Sequence, residues 1–302
     1  MRILLQILCV LSCVAVHASS MAQQVTLPQE KDAIRFAIIG DSGTGNAQQY
    51  ETARRLAQAH DKFPFEFVLM MGDNIYGRKR PEDFQHKFEL PYKPLLDKGV
   101  SFYACLGNHD ESEEEYYKPF NMNGHRYYSF TRGDVRFFAL DSNYLDPEQL
   151  TWLTRELQNA PEKWKIVFFH HPLYSSAATH GSSKELRDIL EPLFQKYGVQ
   201  IVLSGHDHVY ERSLPQKGIS YFTEGASGHV RRGDVRGAVF TAKSFDSDLS
   251  FLLAEVSGDD LFFQTVSRTG ETVDSGTLAR NKSATENRPS GGPGRPAAAI
   301  GK

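Results

Sequence analysis

The chain has 302 residues, with 34 lysines and arginines against 37 aspartates and glutamates and a formal net charge of −3 at pH 7. This length suits one α/β domain of roughly 250 residues with short terminal segments. Because the opposite charges are interspersed along the chain, the composition gives no sign of a surface that binds a polyanion. Nucleic acid is therefore excluded as the expected partner.

The first 18 residues have the pattern of a secretory signal. One arginine precedes an apolar stretch over residues 3–16, and small residues follow, with Val16-His17-Ala18 as the processing site. The stretch is shorter than the roughly 20 apolar residues that a membrane-spanning helix needs. A lipoprotein signal that ends at Cys13 is the alternative, because Ser12 precedes that cysteine. We expect a secreted or periplasmic protein without a stable membrane span.

Cysteine usage argues against a disulfide in the mature chain. Cys9 and Cys13 lie in the predicted signal, which leaves Cys105 as the remaining cysteine after cleavage. Cys105 lies in an apolar run, so we interpret it as a small buried hydrophobic residue. The core, or bound metal, must then hold the exported domain together.

Six short apolar runs predict buried strands. The runs do not alternate strictly between apolar and polar residues, which is typical of strands that are covered on both faces. They occupy residues 34–41, 65–73, 100–108, 135–142, 165–171 and 199–208.

Two helices and a hairpin complete the pattern. Residues 146–158 predict a helix with Asp146 as N-cap and Pro147 at its first position, and residues 183–198 predict another that ends at Gly198. Two apolar runs around Gly258-Asp259 predict a hairpin, so the sheet should be mixed. We predict one domain over residues 33–280, and a disordered tail over residues 281–302, which are rich in Gly, Pro and Ala.

Polar clusters follow five of the predicted strands. An aspartate after a strand usually caps a turn, and a single histidine is usually a hydrogen-bonded core residue, but five such coincidences at five strand ends need a common cause. Open α/β sheets place ligand sites at the carboxyl ends of strands, so we expect the clusters to converge. They are Gly40-Asp41-Ser42-Gly43, Gly72-Asp73-Asn74-Ile75-Tyr76, Gly107-Asn108-His109-Asp110, His170 and Gly205-His206-Asp207-His208.

The residue types in these clusters indicate metal binding. Carboxylates, an amide, imidazoles and a phenol suit iron, zinc or manganese, and no cysteine lies near the histidine clusters to form a thiolate zinc site. There are too many candidate ligands for one ion. Two ions about 3.5 to 4 Å apart, bridged by a carboxylate, form an arrangement that hydrolyses phosphate esters.

The ordered motifs resemble those of the purple acid phosphatases, a branch of the calcineurin-like metallophosphoesterases. The motifs are Asp-x-Gly, Gly-Asp-x-x-Tyr, Gly-Asn-His-Asp, Val-x-x-His and Gly-His-x-His, in that order. The resemblance spans residues 33–275 and, in size, is to the small tartrate-resistant type. It implies an α/β fold in which two mixed sheets form a four-layer α-β-β-α sandwich.

The resemblance also implies a ligand set by position. A ferric ion would have three terminal ligands: Asp41, Tyr76 and His208. A divalent ion of iron, zinc or manganese would have three others: Asn108, His170 and His206. Asp73 would bridge the two ions. Most related phosphodiesterases lack a tyrosine at this position, so Tyr76 is the feature that favours a phosphatase with Fe(III).

The implied activity is that of an acid phosphatase acting on small phosphate monoesters or phosphoproteins. A hydroxide generated by the metals would attack phosphorus in line, and a histidine would protonate the leaving alkoxide. The candidates are His109, with Asp110 beside it as an orienting partner, and His180, ten positions after His170. His171 directly follows a ligand, and we expect it to point away from the site.

Two other functions are consistent with the same motifs. One is a secreted phosphodiesterase or nucleotidase of the same superfamily, and the other is a metal-binding protein that has lost turnover. The presence of both candidate proton donors argues against the second. The sequence does not predict an oligomeric state.

Overall fold

The structure is a computed structural model that describes residues 25–280. The predicted signal over residues 1–18 and the predicted tail over residues 281–302 lie outside this range. None of the described helices is both long enough and apolar enough to cross a membrane.

Within residues 25–280, thirteen strands form two mixed sheets. The strands are β1 (Ile34–Ile39), β2 (Phe67–Met70), β3 (Ser101–Ala104), β4 (Tyr128–Arg132), β5 (Val135–Ala139), β6 (Trp164–Phe168), β7 (Ile201–Ser204), β8 (Tyr210–Ser213), β9 (Ser220–Glu224), β10 (Thr241–Phe245), β11 (Ser250–Ser257), β12 (Asp260–Ser267) and β13 (Thr272–Ala279). The six-stranded sheet has the order β13-β12-β11-β1-β2-β3, and the seven-stranded sheet has the order β10-β8-β9-β7-β6-β5-β4.

The six predicted strands correspond to β1, β2, β3, β5, β6 and β7, and they run as continuous apolar stretches because both of their faces are buried. In β1, Ala37 and Ile39 face one apolar cluster, whereas Phe36 and Ile38 face another between the two sheets. Successive side chains of a strand point to opposite faces, so a strand covered on both sides needs apolar residues at every position.

Aromatic rings dominate the layer between the sheets. Phe36 and Phe67 of the six-stranded sheet stack with their ring centroids 5.4 Å apart. Phe137 of the seven-stranded sheet packs edge-on against Phe36, with centroids 5.2 Å apart. Such pairs contribute about 0.5–1.5 kcal/mol beyond the burial of their surface, so this layer fixes how the two sheets face each other.

Helices cover the outer face of each sheet. The described α-helices are α1 (Ala47–His60), α2 (Pro81–Phe84), α3 (Leu90–Leu96), α4 (Pro147–Asn159) and α5 (Lys184–Tyr197), and a π-helical stretch, Gln85–Glu89, joins α2 to α3. Leu56 of α1 and Tyr92 of α3 belong to the cluster on the six-stranded sheet, and Leu153 of α4 and Phe194 of α5 belong to that on the seven-stranded sheet. The predicted four-layer α-β-β-α sandwich is thus confirmed.

The predicted helix and hairpin signals also agree with the structure. The Asp146 side chain caps α4 by accepting a hydrogen bond from the backbone N–H of Gln149, and Gly198 ends α5 with a φ of 70°. Strands β11 and β12 pair antiparallel on either side of Gly258. Helix α1, capped by Asn46, was not predicted.

Parallel pairing decides where the functional residues meet. Strands β1, β2 and β3 are parallel neighbours, and β6 and β7 are parallel neighbours in the other sheet. The segments that follow these five strands are the ones that carry the polar clusters. Hydrogen bonds and ring contacts join these segments at the edge of the sandwich formed by the carboxyl ends of the five strands, which we call the rim.

Candidate metal centre

Two fully buried aspartates and a histidine lie at the centre of the rim. Asp41 follows β1, Asp73 follows β2, and His208 lies in the segment after β7. One ligand atom from each of the three side chains lies within 4.8 Å of the other two. The six-stranded sheet thus supplies both carboxylates and the seven-stranded sheet supplies the imidazole.

Tyr76 joins Asp41 and His208 in a first group of predicted ligands. Its hydroxyl donates to Oδ1 of Asp41 at 3.3 Å and lies 3.1 Å from Nε2 of His208. The same Nε2 lies 3.3 Å from Oδ1 of Asp41. The three side chains predicted to bind the ferric ion therefore converge with their polar atoms in mutual contact.

The other predicted ligands form a second group beside the first. Nε2 of His170 lies 3.0 Å from Oδ1 of Asn108 and 3.1 Å from Nδ1 of His206. Oδ1 of Asp73 lies 3.5 Å from the same Nε2 of His170. Asp73 therefore contacts the second group. It also borders the first group, because it lies close to Asp41 and His208.

The backbone adopts unusual conformations at three of the predicted ligands. Asp41, Asp73 and His206 have φ values of 52°, 50° and 69°, in the left-handed region that non-glycine residues seldom occupy. Each such residue costs roughly 1 to 3 kcal/mol and persists where the surrounding structure holds it. Here the strain falls on residues whose own side chains lie in the cluster.

Glycines around the cluster leave space for the carboxylates. A Cβ added at Gly107 would lie 2.2 Å from Oδ1 of Asp73, and one added at Gly205 would lie 2.5 Å from Oδ2 of Asp41. Neither distance is compatible with a side chain. The glycines of the Gly-Asn-His-Asp and Gly-His-x-His motifs are therefore required by close approach to the aspartates.

Burial shifts the acidic and basic members of the cluster in opposite directions. It raises the pKa of Asp41 well above its usual value, and the charge of Asp73 raises it further. Burial lowers the pKa of His170 to about 3, that of His206 to about 2 and that of His208 to about 3, with neighbouring positive groups as a smaller cause. The three imidazoles are therefore neutral at neutral pH and can offer lone pairs to a cation.

The hydrogen bonds of His170 define its tautomer. The backbone carbonyl of Met71 can only accept, so Nδ1 of His170, 2.8 Å away, carries the hydrogen. Nε2 then has a lone pair and no hydrogen, and it faces Oδ1 of Asn108, which cannot donate to it, and Nδ1 of His206. A ring nitrogen that donates to a carbonyl while the other nitrogen faces a site is the usual arrangement of a metal-binding histidine.

The cluster fits bound cations. Within residues 25–280 the ion-pair partners of Asp41 and Asp73 are His208 and His170, and both imidazoles are neutral. Buried carboxylates without a positive partner are costly, and neutral imidazoles cannot supply one. Oxygen and nitrogen donors in this number suit iron, zinc or manganese.

The two candidate proton donors both lie at the exposed rim of the cluster. The His109 ring packs against Tyr76 with centroids 5.0 Å apart, and its backbone N–H donates to Oδ1 of Asp73 at 2.9 Å. The His180 ring packs against His206 with centroids 4.2 Å apart. The structure therefore brings both residues to the site from different loops.

The interpretation of Asp110 as an orienting partner of His109 needs correction. Its carboxylate accepts hydrogen bonds from the backbone N–H groups of Gly107 and Asn74, both at 2.8 Å, and from that of Ile75 at 3.1 Å. Burial raises its pKa to about 7. Asp110 therefore joins the loop after β3 to the loop after β2, because unpaired backbone donors of two sharp turns point towards it.

Two further histidines contact the site, and the expectation that His171 points away from it was wrong. The His171 ring lies 4.4 Å from that of His206, and its Nδ1 lies 2.9 Å from Oγ of Ser142. It contacts the site because the chain has left β6, so strand alternation no longer directs it away. The His229 ring lies 4.5 Å from that of His208, and its spacing in the sequence gave no signal for this contact.

A sandwich with acidic and histidine side chains at its strand ends is typical of a phosphoesterase. The sequence profile described as "Calcineurin-like phosphoesterase" matches residues 34–210. The chain belongs to the calcineurin-like phosphoesterase family and is a hydrolase of phosphate esters.

The chain is similar in sequence to phosphatases of one branch of this family. Purple acid phosphatase 4 of Arabidopsis thaliana is 29% identical over 287 residues, which cover 78% of this chain and 84% of that protein. Tartrate-resistant acid phosphatase type 5 of Homo sapiens is 27% identical over 305 residues, which cover 83% and 94%. The resemblance to the purple acid phosphatases of the small type is confirmed.

Solved structures share the fold. Purple acid phosphatase PPD1 from yellow lupin has a TM-score of 0.72 at 20% identity, with 89% of this chain and 58% of that chain covered. GAP50, described as the anchor in the inner membrane complex of Plasmodium, has a TM-score of 0.72 at 22% identity, with 84% and 90% covered. At these identities the likeness concerns the fold alone.

Proposed function

We propose that this chain is an acid phosphatase that hydrolyses phosphate monoesters at a dinuclear centre of Fe(III) and a divalent ion. Asp41, Tyr76 and His208 would hold the ferric ion. The divalent ion would be held by three others: Asn108, His170 and His206. Asp73 would bridge the two, and its position between the two groups of side chains is the observation on which the proposal depends.

When bound, the ions would supply Lewis acidity and would lower the pKa of a coordinated water molecule. The protein arranges this chemistry by holding its ligands rigidly. His170 is fixed by the Met71 carbonyl, and the backbone N–H of His206 donates to Oδ2 of Asp41 at 2.8 Å. Ligands held in this way need little reorganisation during the reaction.

Tyr76 supports the assignment of a highly charged ion to the first group. Burial raises the pKa of its phenol far above the ordinary value, and the charges of Asp41 and Asp73 raise it further. A phenol in this environment keeps its proton unless a strongly positive ion offsets both carboxylates. Fe(III) meets this requirement, because phenolate is a strong donor to it.

The rim histidines would act on the leaving group. His109 and His180 are both exposed, and they lie against different groups of predicted ligands, His109 beside Tyr76 and His180 beside His206. A positioned imidazole that protonates the leaving alkoxide contributes typically a hundredfold to ten-thousandfold in rate. Since Asp110 is occupied with the loops, His109 would act without a carboxylate partner.

The divalent ion is proposed as iron, zinc or manganese. One relative, 31% identical over 215 residues that cover 62% of this chain and 45% of that protein, is named Fe(3+)-Zn(2+) purple acid phosphatase 12 of Arabidopsis thaliana. The amide and imidazole donors of the second group suit all three metals. We also propose secretion or periplasmic export, from the signal pattern of residues 1–18.

The phenol provides the test. We expect the purified oxidised protein to be violet from a phenolate-to-iron transition, and Tyr76→Phe to remove that absorption band. Tyr128→Phe is the matched control, because the Tyr128 hydroxyl donates to the Ala104 carbonyl at 2.8 Å, outside the predicted ligand set. A colourless, iron-free and fully active protein would instead indicate a phosphodiesterase of the manganese type.

The rival phosphodiesterase activity is separated by a pair of substrates. A simple aryl monoester and the matching diester share the same leaving group. The ratio of their kcat/KM values therefore shows whether the site prefers a phosphate that carries one ester group or two. We expect the monoester to be preferred. Faster turnover of the diester would contradict the proposed monoesterase activity.

A further inference from the structure

A cavity of about 660 Å³ opens beside the candidate metal centre. We call it the flanking pocket. Its lining includes Asn108, His171, Asp141, Tyr144, Glu185 and Ile189. This volume lies within the range of about 300–1,000 Å³ that is typical of small-molecule sites.

The flanking pocket is continuous with the candidate site through two residues. Asn108 lines it and also has its Oδ1 3.0 Å from Nε2 of His170. His171 lines it and packs its ring 4.4 Å from that of His206. A phosphate ester bound at the cluster can therefore place its alcohol portion in this pocket.

Part of the lining of the flanking pocket is exposed apolar surface. Tyr144 is 74% exposed and Ile189, on α5, is 45% exposed, and both belong to the small set of large hydrophobic residues that the described structure leaves in solvent. Partly buried Leu145 and Leu186 add apolar surface to the lining. Apolar side chains left exposed in a concave site favour an apolar ligand over water.

The charges of the flanking pocket disfavour an anionic ligand. The lining has one arginine, Arg126, and its Nη1 donates to Oδ2 of Asp141 at 2.9 Å while its Nη2 contacts Asp146. Glu185 lines the flanking pocket and is exposed. A second negative group on a substrate would find the guanidinium already occupied and a carboxylate nearby.

We propose that the flanking pocket binds the alcohol portion of the substrate, and that it selects alcohols with an aromatic or alkyl body and no further negative charge. Aryl phosphates of this kind would be preferred over nucleoside polyphosphates and other polyanionic esters. The inference rests on the proposed phosphatase function, which supplies the phosphoryl site next to the pocket.

The experiment measures kcat/KM for four esters: ethyl phosphate, phenyl phosphate, 1-naphthyl phosphate and 3-carboxyphenyl phosphate. Ile189→Ser should lower kcat/KM for the naphthyl ester about fivefold relative to that for ethyl phosphate, whose small alkyl group covers less of the pocket. Leu90→Ser is the matched control, because Leu90 is also a helix residue, is 46% exposed and lies outside the pocket lining. Inhibition by inorganic phosphate should be the same in all variants, since phosphate has no alcohol portion.

A second variant tests the charge selection. Glu185→Lys should raise kcat/KM for 3-carboxyphenyl phosphate relative to phenyl phosphate about fivefold, because it replaces a repelling charge with an attracting one. Equal changes for all esters, or the same change in Leu90→Ser, would overturn the pocket assignment while leaving the phosphatase function intact. A folded wild-type protein that hydrolyses none of the four esters would overturn both.

Discussion

The two sheets supply chemically different halves of the candidate site. The segments after β1, β2 and β3 bring the predicted oxygen donors, which are Asp41, Asp73, Tyr76 and Asn108. The segments after β6 and β7 bring the predicted nitrogen donors, which are His170, His206 and His208. The rim where the sheets meet is therefore a seam between an oxygen half and a nitrogen half.

Burial acts on the two halves in opposite ways. It raises the pKa of Asp41 in the oxygen half and lowers the pKa of each imidazole in the nitrogen half. In both cases a low-dielectric environment disfavours the charged form. The carboxylates of the oxygen half therefore need a positive charge nearby. The neutral imidazoles of the nitrogen half can bind a cation but carry no positive charge themselves. Cations at the seam satisfy both halves at once.

The largest expected effect comes from Asp73, which links the halves. Asp73→Asn removes the negative charge that borders both groups of ligands, so we expect kcat to fall on the order of a thousandfold and the metal content to fall with it. Asp97→Asn is the control, because Asp97 pairs with Lys93 at an exposed site. Steady-state kinetics and elemental analysis check the prediction, and retention of two metal ions with near-normal activity would contradict the bridging role.

Two glycines, one from the segment after β3 and one from the segment after β7, test whether the aspartates of the oxygen half depend on close approach. Gly107→Ala places a Cβ 2.2 Å from Oδ1 of Asp73, and Gly205→Ala places one 2.5 Å from Oδ2 of Asp41. Displacing a carboxylate by about 1 Å should cost about a hundredfold in kcat/KM in each variant.

Gly258→Ala is the control for both substitutions. Gly258 has a φ of 58°, and an added Cβ would meet nothing within 4 Å, so this variant strains the backbone without crowding the site. We expect it to lower stability slightly and to leave kcat/KM unchanged. If all three variants lost the same activity, crowding of the aspartates would not be the cause.

Much of the fold and of the seam could be predicted from the sequence, because both depend on short local patterns. A continuous apolar run that ends in glycine and a polar residue specifies a buried strand and the side chain at its end, as in β1 with Asp41. Helix α4 was predictable because Asp146 and Pro147 form a strong start signal. Helix α1 was missed, since its mean hydropathy is low and its buried face consists mostly of Ala, Gln and Thr.

The errors concern residues whose orientation depends on distant segments. Asp110 was paired with its neighbour in sequence, but its partners are the backbone N–H groups of Asn74 and Ile75 on another loop. His171 was expected to alternate away from the site, yet Ser142, which follows β5, holds its ring towards His206. The division into oxygen and nitrogen halves was not foreseen either, because it requires knowing which strands share a sheet.

The smallest effect on activity is expected at a hydrogen bond that joins the sheets beneath the seam, where the change is in stability. Glu224 ends β9 in the seven-stranded sheet, and its Oε1 accepts from Oγ of Ser250 on β11 in the six-stranded sheet at 2.9 Å. Burial raises its pKa from the ordinary 4.5 to about 8. The folded protein therefore keeps this carboxyl protonated over a range in which the unfolded chain has lost the proton.

This difference gives a direction for the pH dependence of stability. Since the folded state binds the extra proton, the stabilisation from protonated Glu224 is complete below about pH 4.5 and is lost as the pH rises through about 8. Its loss amounts to at most about 1.4 kcal/mol for each pH unit of that window.

In Glu224→Gln the neutral amide keeps its charge state, so the free energy of unfolding should fall less steeply with pH than in the wild type. Denaturant titrations at several pH values within the window measure how the free energy of unfolding changes with pH. Glu66→Gln is the control, because Glu66 is exposed. Equal slopes in Glu224→Gln and Glu66→Gln would mean that Glu224 is ionised in the folded protein.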